Sequence, residues 1–127
     1  VPPPGRVKAS QRTAKGRHAE SVVAMSMASE GWSVLERNWR RGRGEIDIVA
    51  FRAGTLAFVE VKTIDAFGTE SLAVSVGPGK RARIVETSKL FLAMHREFSS
   101  ATVRYDVASV RSGAMADYYE NAFAERT

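Results

Sequence analysis

The spacing of apolar positions divides the chain into segments with two different periods. From Thr13 to Glu30, Ala19, Val22, Val23, Ser26 and Met27 recur at three- and four-residue intervals and form one stripe, as an amphipathic helix requires. Gly31 follows where a left-handed C-terminal cap would close that helix. The period then drops to two. Trp32 to Trp39 reads as a strand, Arg40 to Gly44 as a loop, and Glu45 to Phe51 as a second strand with Ile46, Ile48 and Ala50 on one face. Arg52-Ala53-Gly54-Thr55 is a tight turn into a third strand, Leu56 to Thr63, with Ala57, Val59 and Val61 on one face. A loop carrying Phe67-Gly68 spans Ile64 to about Ser75. Helical spacing returns from about Pro78 to Phe98, with Ala82, Val85, Ser88, Leu92 and His95 near one face. Thr102 to Val110 is a strand, Arg111-Ser112-Gly113 a turn, and Met115 to Phe123 a last short strand. The order α-β-β-β-α-β-β predicts an α/β fold, a mixed five-stranded sheet flanked by helices, because a crossover helix must cover a sheet face.

Composition narrows the function classes. One domain of 127 residues can bury a core without staples, and the absence of cysteine excludes disulfides and thiolate zinc sites. No apolar run approaches the length of a membrane span, so a soluble, cytoplasmic protein without membrane partners is the expectation. The net charge of +5 suggests nucleic acid, but its distribution weakens the inference. Arg6, Lys8, Arg12 and Lys15 account for four of the 19 basic residues, leaving 15 against 14 acids beyond them, a net of +1. Residues 1–12, with three prolines and no apolar period, read as a disordered basic arm or an artificial leader, and 13–127 as a single domain. Phosphate affinity in that domain must come from local clusters.

The chemistry concentrates in residues 44–63. With the turn centred on Ala53-Gly54, Asp47 falls opposite Glu60 and Glu45 opposite Lys62, all on one face, while Ile46, Ile48, Val59 and Val61 occupy the other. Directly opposed carboxylates destabilise a sheet. A divalent cation reverses the sign of that interaction, and Mg²⁺ commonly takes one or two carboxylates together with water and phosphate. Lys62 would orient or deprotonate an attacking water, or neutralise charge on a phosphate under attack. The alternative is a solvated hairpin face with an ordinary Glu45–Lys62 ion pair.

These residues also resemble a known group. Asp47 followed thirteen positions later by Glu60-Val61-Lys62 is similar to the bipartite PD-(D/E)XK nuclease motif, with Ile46 where the nominal motif has proline. Gly16 and Glu20, Gly31, Asn38-Trp39-Arg40, Gly44-Glu45-Ile46-Asp47, Phe58-Val59-Glu60-Val61-Lys62, Phe67-Gly68, Lys80 and Arg83, Arg104-Tyr105-Asp106-Val107 and Asn121-Ala122-Phe123 closely resemble the YraN-like family, in order, from about residue 16 to 123. The resemblance implies a restriction-endonuclease-like core similar to archaeal Holliday-junction resolvases, and a Mg²⁺- or Mn²⁺-dependent endonuclease acting on nucleic acid, DNA more than RNA. It implies Asp47, Glu60 and the backbone carbonyl of Val61 as metal ligands, Lys62 as the catalytic lysine, and Glu20 as an additional catalytic acid near the metal. A homodimer would suit a symmetric junction. The competing expectation is an inactive nucleic-acid-binding module of the same fold, since fold alone does not carry activity.

Further candidates are weighed by residue type. Arg37, Arg40, Arg41 and Arg43 adjoin the hairpin, and Lys80, Arg81 and Arg83 open the second helix. Both groups are candidate phosphate contacts, although charged side chains in such places are ordinarily only solvated. Glu20 borders a buried helix face, where a solvated carboxylate is the common case. Trp32 and Trp39 are expected to pack rather than to stack on bases. His18 and His95 lack partners at metal-ligand spacing.

Overall fold

The computed structural model describes residues 14–64 and 76–124. Within them run α1 (Ala14–Ser29), β1 (Ser33–Arg41), β2 (Gly44–Arg52), β3 (Thr55–Ile64), α2 (Pro78–Met94), a 3-10 turn (Arg96–Phe98), β4 (Thr102–Arg111) and β5 (Ala114–Phe123). The fold is therefore α/β, in the order the sequence predicts. The leading segment, most of the loop with Phe67-Gly68, and the last three residues lie outside the described residues.

The strands lie in the sheet in chain order. Every neighbouring pair is antiparallel except β3 and β4, which run parallel. Local chemistry explains the pattern. Ala53-Gly54 and Ser112-Gly113 both hold two consecutive positive φ values, 48 and 82 for the first and 52 and 79 for the second, the signature of two-residue type I′ hairpins. β3 instead reaches β4 through a crossover containing α2, which forces the parallel arrangement.

The two faces bury different material. Under α1, Ala19, Val23 and Met27 meet Ile48, Ala50, Ala57, Val59 and Ala108. Under α2, Ile84 and Phe91 meet Val49, Leu56, Phe58, Tyr105 and Val107. Phe58 and Phe91 are fully buried with their rings 5.7 Å apart at 81°, and burial of that kind contributes roughly 1.5–3 kcal/mol per side chain. The end of α1 is a Schellman cap: Trp32 N–H donates to Met27 O, Gly31 N–H donates to Ala28 O, and Gly31 has φ 93.

Three expectations change. α1 is rotated slightly, so Glu20 and Ala24 join Ala19, Val23 and Met27 in burial. The buried face of α2 is Ile84, Thr87, Ser88 and Phe91, while Ala82 is exposed and Val85, Leu92 and His95 lie at the margin. Phe91 sets this rotation by filling the space beneath Phe58 and Trp39. The α-helix also stops at Met94, where His95 takes φ −128 and stacks its ring 3.9 Å from that of Phe91. None of the helices among the described residues is long and apolar enough to cross a membrane.

Candidate active site

The site exists because two strands part company. β2 pairs with β3 from Arg52↔Thr55 to Ile48↔Val59, in the predicted register, and the pairing then ends. Beyond that point β2 continues along β1 to Gly44↔Arg41, whereas β3 continues along β4 to Ile64↔Arg111. Each strand follows its better partner, and a wedge opens between them. The expected direct opposition of Asp47 to Glu60 and of Glu45 to Lys62 therefore falls beyond the paired segment. Asp47 spans the gap instead: its Oδ2 accepts the Val61 N–H at 2.8 Å, a side-chain substitute for a ladder bond.

On the far side of Asp47, Asn38 interrupts β1. Arg37 pairs with Ile48 and Trp39 with Ile46, while Asn38 between them has φ 55, a conformation that asparagine tolerates better than most residues. The kink separates neighbours that simple alternation places together. Ile48 stays under α1, and Ile46 packs in the α2 core. Gly44 fixes the other edge of the site. A Cβ there would lie 1.6 Å from Thr87 Oγ1 on α2, so only glycine permits this approach.

The wedge is a recess of about 240 Å³ lined by Glu45, Asp47, Glu60, Val61, Lys62, Thr63 and Lys80. Asp47 is 7% exposed and Glu60 5%. Glu60 Oε2 receives the Lys80 ammonium group from the first turn of α2, and the Lys62 Nζ lies 3.8 Å away. Glu45 takes Arg40 at 3.1 Å, its register partner on β1, in place of the expected Lys62. Two nearly buried carboxylates thus face one open space from diverging strands. This donor set fits a divalent cation of the Mg²⁺ type, which binds through one or two carboxylates and keeps other positions for water and phosphate. Val61 lines the space, and its contact with Asp47 is made through its N–H. No cluster of three or more acidic, histidine or cysteine ligands occurs among the described residues.

The remaining sequence candidates are dispersed. Glu20 is 1% exposed on α1 and is not among the residues lining the recess. Arg37 donates to Ser21 Oγ on α1, whereas Arg41 donates to Met94 Sδ at the end of α2 and lies over Trp39. Arg81 donates to Val76 O and lies over the Phe123 ring. Arg43 and Arg83 are exposed. Trp32 packs against Arg52 and Arg104, and Trp39 meets Phe91 edge-on, so both tryptophans serve packing.

Two features escape the sequence reading. Thr63 lines the recess beside Lys62, with nothing in its residue type to mark it. The other is a buried charge cluster at Asp106, which is 0% exposed. Arg104 holds it through Nε and the terminal nitrogen at 2.9 Å each, Tyr118 donates its hydroxyl at 2.6 Å, and Asn121 its N–H at 2.8 Å. The hydrogen bond to Asp106 raises the Arg104 pKa. Burial, reinforced by the Asp106 charge, pushes the Tyr118 phenol well above its ordinary value. An acid in the apolar run Tyr105–Val110, with arginine two positions earlier on the same strand face, is the signal that could have found it. A larger cleft, about 510 Å³, borders this cluster, but its two arginines are already committed, Arg52 to Glu30 O and Arg104 to Asp106. The smaller recess holds the candidate acid pair.

Comparison with known proteins identifies a family. The profile described as "Uncharacterised protein family UPF0102" matches residues 19–110. A UPF0102 protein of Treponema pallidum (strain Nichols) is 44% identical over 97 residues, covering 76% of this chain and 77% of its own. One from Synechococcus sp. (strain JA-3-3Ab) is 37% identical over 85% of this chain and 89% of its own. One from Roseiflexus castenholzii is 40% identical over 84% and 86%.

Proposed function

The chain belongs to the UPF0102 family, the YraN family anticipated above, and from that premise we propose that it is a divalent-metal-dependent endonuclease. Its substrate is nucleic acid, DNA in preference to RNA, with branched or junction DNA the favoured form. The reading extends to a cytoplasmic enzyme that works as a homodimer on symmetric substrates. The observation that carries it is the meeting of two nearly buried carboxylates, Asp47 and Glu60, with Lys62 and Lys80 in one open recess.

Each residue has a task in that reading. Asp47 and Glu60 hold the cation, and the Val61 N–H keeps the Asp47 carboxylate turned into the recess. When bound, Mg²⁺ or Mn²⁺ supplies Lewis-acid polarisation of the phosphoryl oxygen. Lys62, half-buried beside Glu60, orients the attacking water or neutralises the phosphate as its charge develops. Arg40 holds Glu45 at the rim, while exposed Arg43 and Arg83 are available to the nucleic-acid backbone. One observation favours the competing reading of binding without cleavage: lysines already neutralise Glu60. A panel of linear, nicked, flapped and four-way DNA, with matching RNA, separates the two. Cleavage of at least one substrate with Mg²⁺ or Mn²⁺ and none in EDTA is expected, whereas tight binding with every substrate intact would overturn the proposal.

A further inference from the structure

Lys80 is in an unusual place for a residue whose only task is to contact a distant phosphate. It lies in the first turn of α2, whose first turn contains no acid, so its positive charge sits at the positive end of the helix. That position is unfavourable unless something offsets it. The offset is Glu60: the Lys80 ammonium meets Oε2, the same oxygen that Lys62 approaches at 3.8 Å. Glu60 is 5% exposed and the Lys80 side chain 42% exposed, so the acid is fixed by the fold while the lysine remains at the rim. A buried carboxylate without a counter-charge is costly, and here a flexible side chain provides one.

We propose that Lys80 is an exchangeable counter-cation: it neutralises Glu60 in the metal-free protein, yields that carboxylate to the divalent ion, and then pairs with a backbone phosphate of the nucleic acid. This rests on the metal-dependent reading above. The exchange follows from charge. A divalent ion and an ammonium group compete for one carboxylate, and the displaced ammonium is left at a positive helix end, where an anion is its natural partner. Metal and nucleic acid are thereby coupled, since each favours the arrangement in which Lys80 has left Glu60. Lys62 differs because it lies on β3 itself, two residues from Glu60, and stays beside the site whichever cation is present.

Calorimetric titration of Mn²⁺ into the metal-free full chain tests the first half, using wild type, Lys80→Met, Lys80→Gln and Glu60→Gln. Both lysine variants should bind Mn²⁺ about tenfold more tightly than wild type, a modest coupling between linked sites. Their melting temperatures should also gain more from Mn²⁺, and adding Glu60→Gln should erase the difference. Equal affinity in wild type and both lysine variants overturns the exchange and leaves the nuclease reading intact. Mn²⁺ binding by none of the proteins overturns both, and binding seen only in the lysine variants supports the exchange. The second half is read from the salt dependence of four-way DNA binding, with Ca²⁺ as a non-cleaving ion. With Ca²⁺, the wild-type log–log slope should exceed that of Lys80→Met by about one unit, and the two should coincide in EDTA. Coincident slopes in both conditions overturn the phosphate contact.

Discussion

Two of the places where the described residues bury acid, Asp106 and the Asp47–Glu60 pair, treat it in opposite ways. Asp106 is sealed: both carboxylate oxygens are engaged by Arg104, Tyr118 and the Asn121 backbone, at 2.6–2.9 Å through its shortest contacts. Asp47 and Glu60 are nearly as buried, yet they face a recess of about 240 Å³ whose cations reach in on lysine stems from the rim. Burial alone therefore does not distinguish the two sites. What separates the sites is the replaceability of the partner. A bidentate guanidinium, a phenol and a backbone N–H close the Asp106 site into the fold, whereas ammonium groups at an open edge can give way to another cation.

Substitutions should break this contrast in opposite directions. The largest effect is expected on activity. Asp47→Asn should lower single-turnover cleavage beyond the roughly 10²–10⁴-fold typical of one positioned group, while changing the urea midpoint little. Lys62→Ala follows, with a loss of about 10²–10⁴-fold in rate, retained Mn²⁺ binding, and a stability change under about 1 kcal/mol. Lys62→Arg should rescue little of it, because a guanidinium holds its proton and has a different shape.

Asp106→Ala should do the reverse. It leaves a part-buried guanidinium with only the exposed Glu120 at 3.7 Å and is expected to cost up to about 3 kcal/mol in urea denaturation while leaving Mn²⁺ affinity near wild type. Gly44→Ala comes next, since moving Thr87 aside should cost roughly 1–3 kcal/mol and disturb the site edge as well.

The smallest effect is a pH dependence. Folding raises the Tyr118 pKa above its ordinary 10.0, so the unfolded chain loses that proton first. The stabilisation is complete below pH 10 and drains as pH rises past it, with a slope of at most about 1.4 kcal/mol per pH unit. Tyr118→Phe should remove that part of the alkaline decline. An unchanged profile would show that the Asp106 cluster is less closed than the geometry indicates.

Much of this organisation is legible in the sequence because it is local. Two-residue periodicity and the Ala53-Gly54 turn fix the β2–β3 register, and Gly31 marks the end of α1. The meeting of Asp47, Glu60 and Lys62 is readable for the same reason, since a hairpin brings them together. The splay is not readable, because it depends on β3 preferring β4, whose paired residues lie 47 positions further along the chain, over β2. The same tertiary competition sends Glu45 to Arg40 and brings Lys80 to Glu60 from across the crossover. Helix rotation is lost for a related reason: Phe91 wins the contact beneath the sheet, which turns Ala82 outward against its apolar type. The Asp106 cluster joins β4 to β5 across a hairpin whose register shifts twice, so only the Arg104–Asp106 half is visible locally.

In the proposed function, the open acid pair and not the closed one binds the cation that cleavage requires. Single-turnover cleavage of the best four-way or flapped DNA, followed across a Mg²⁺ titration in wild type, Glu60→Gln and Asp106→Asn, tests it most directly. Wild type should cleave saturably and lose cleavage in EDTA. Glu60→Gln should not cleave at any Mg²⁺ concentration, and whatever fraction of Asp106→Asn is folded should show a near wild-type Mg²⁺ dependence. Cleavage by Glu60→Gln with an unchanged Mg²⁺ midpoint would contradict it.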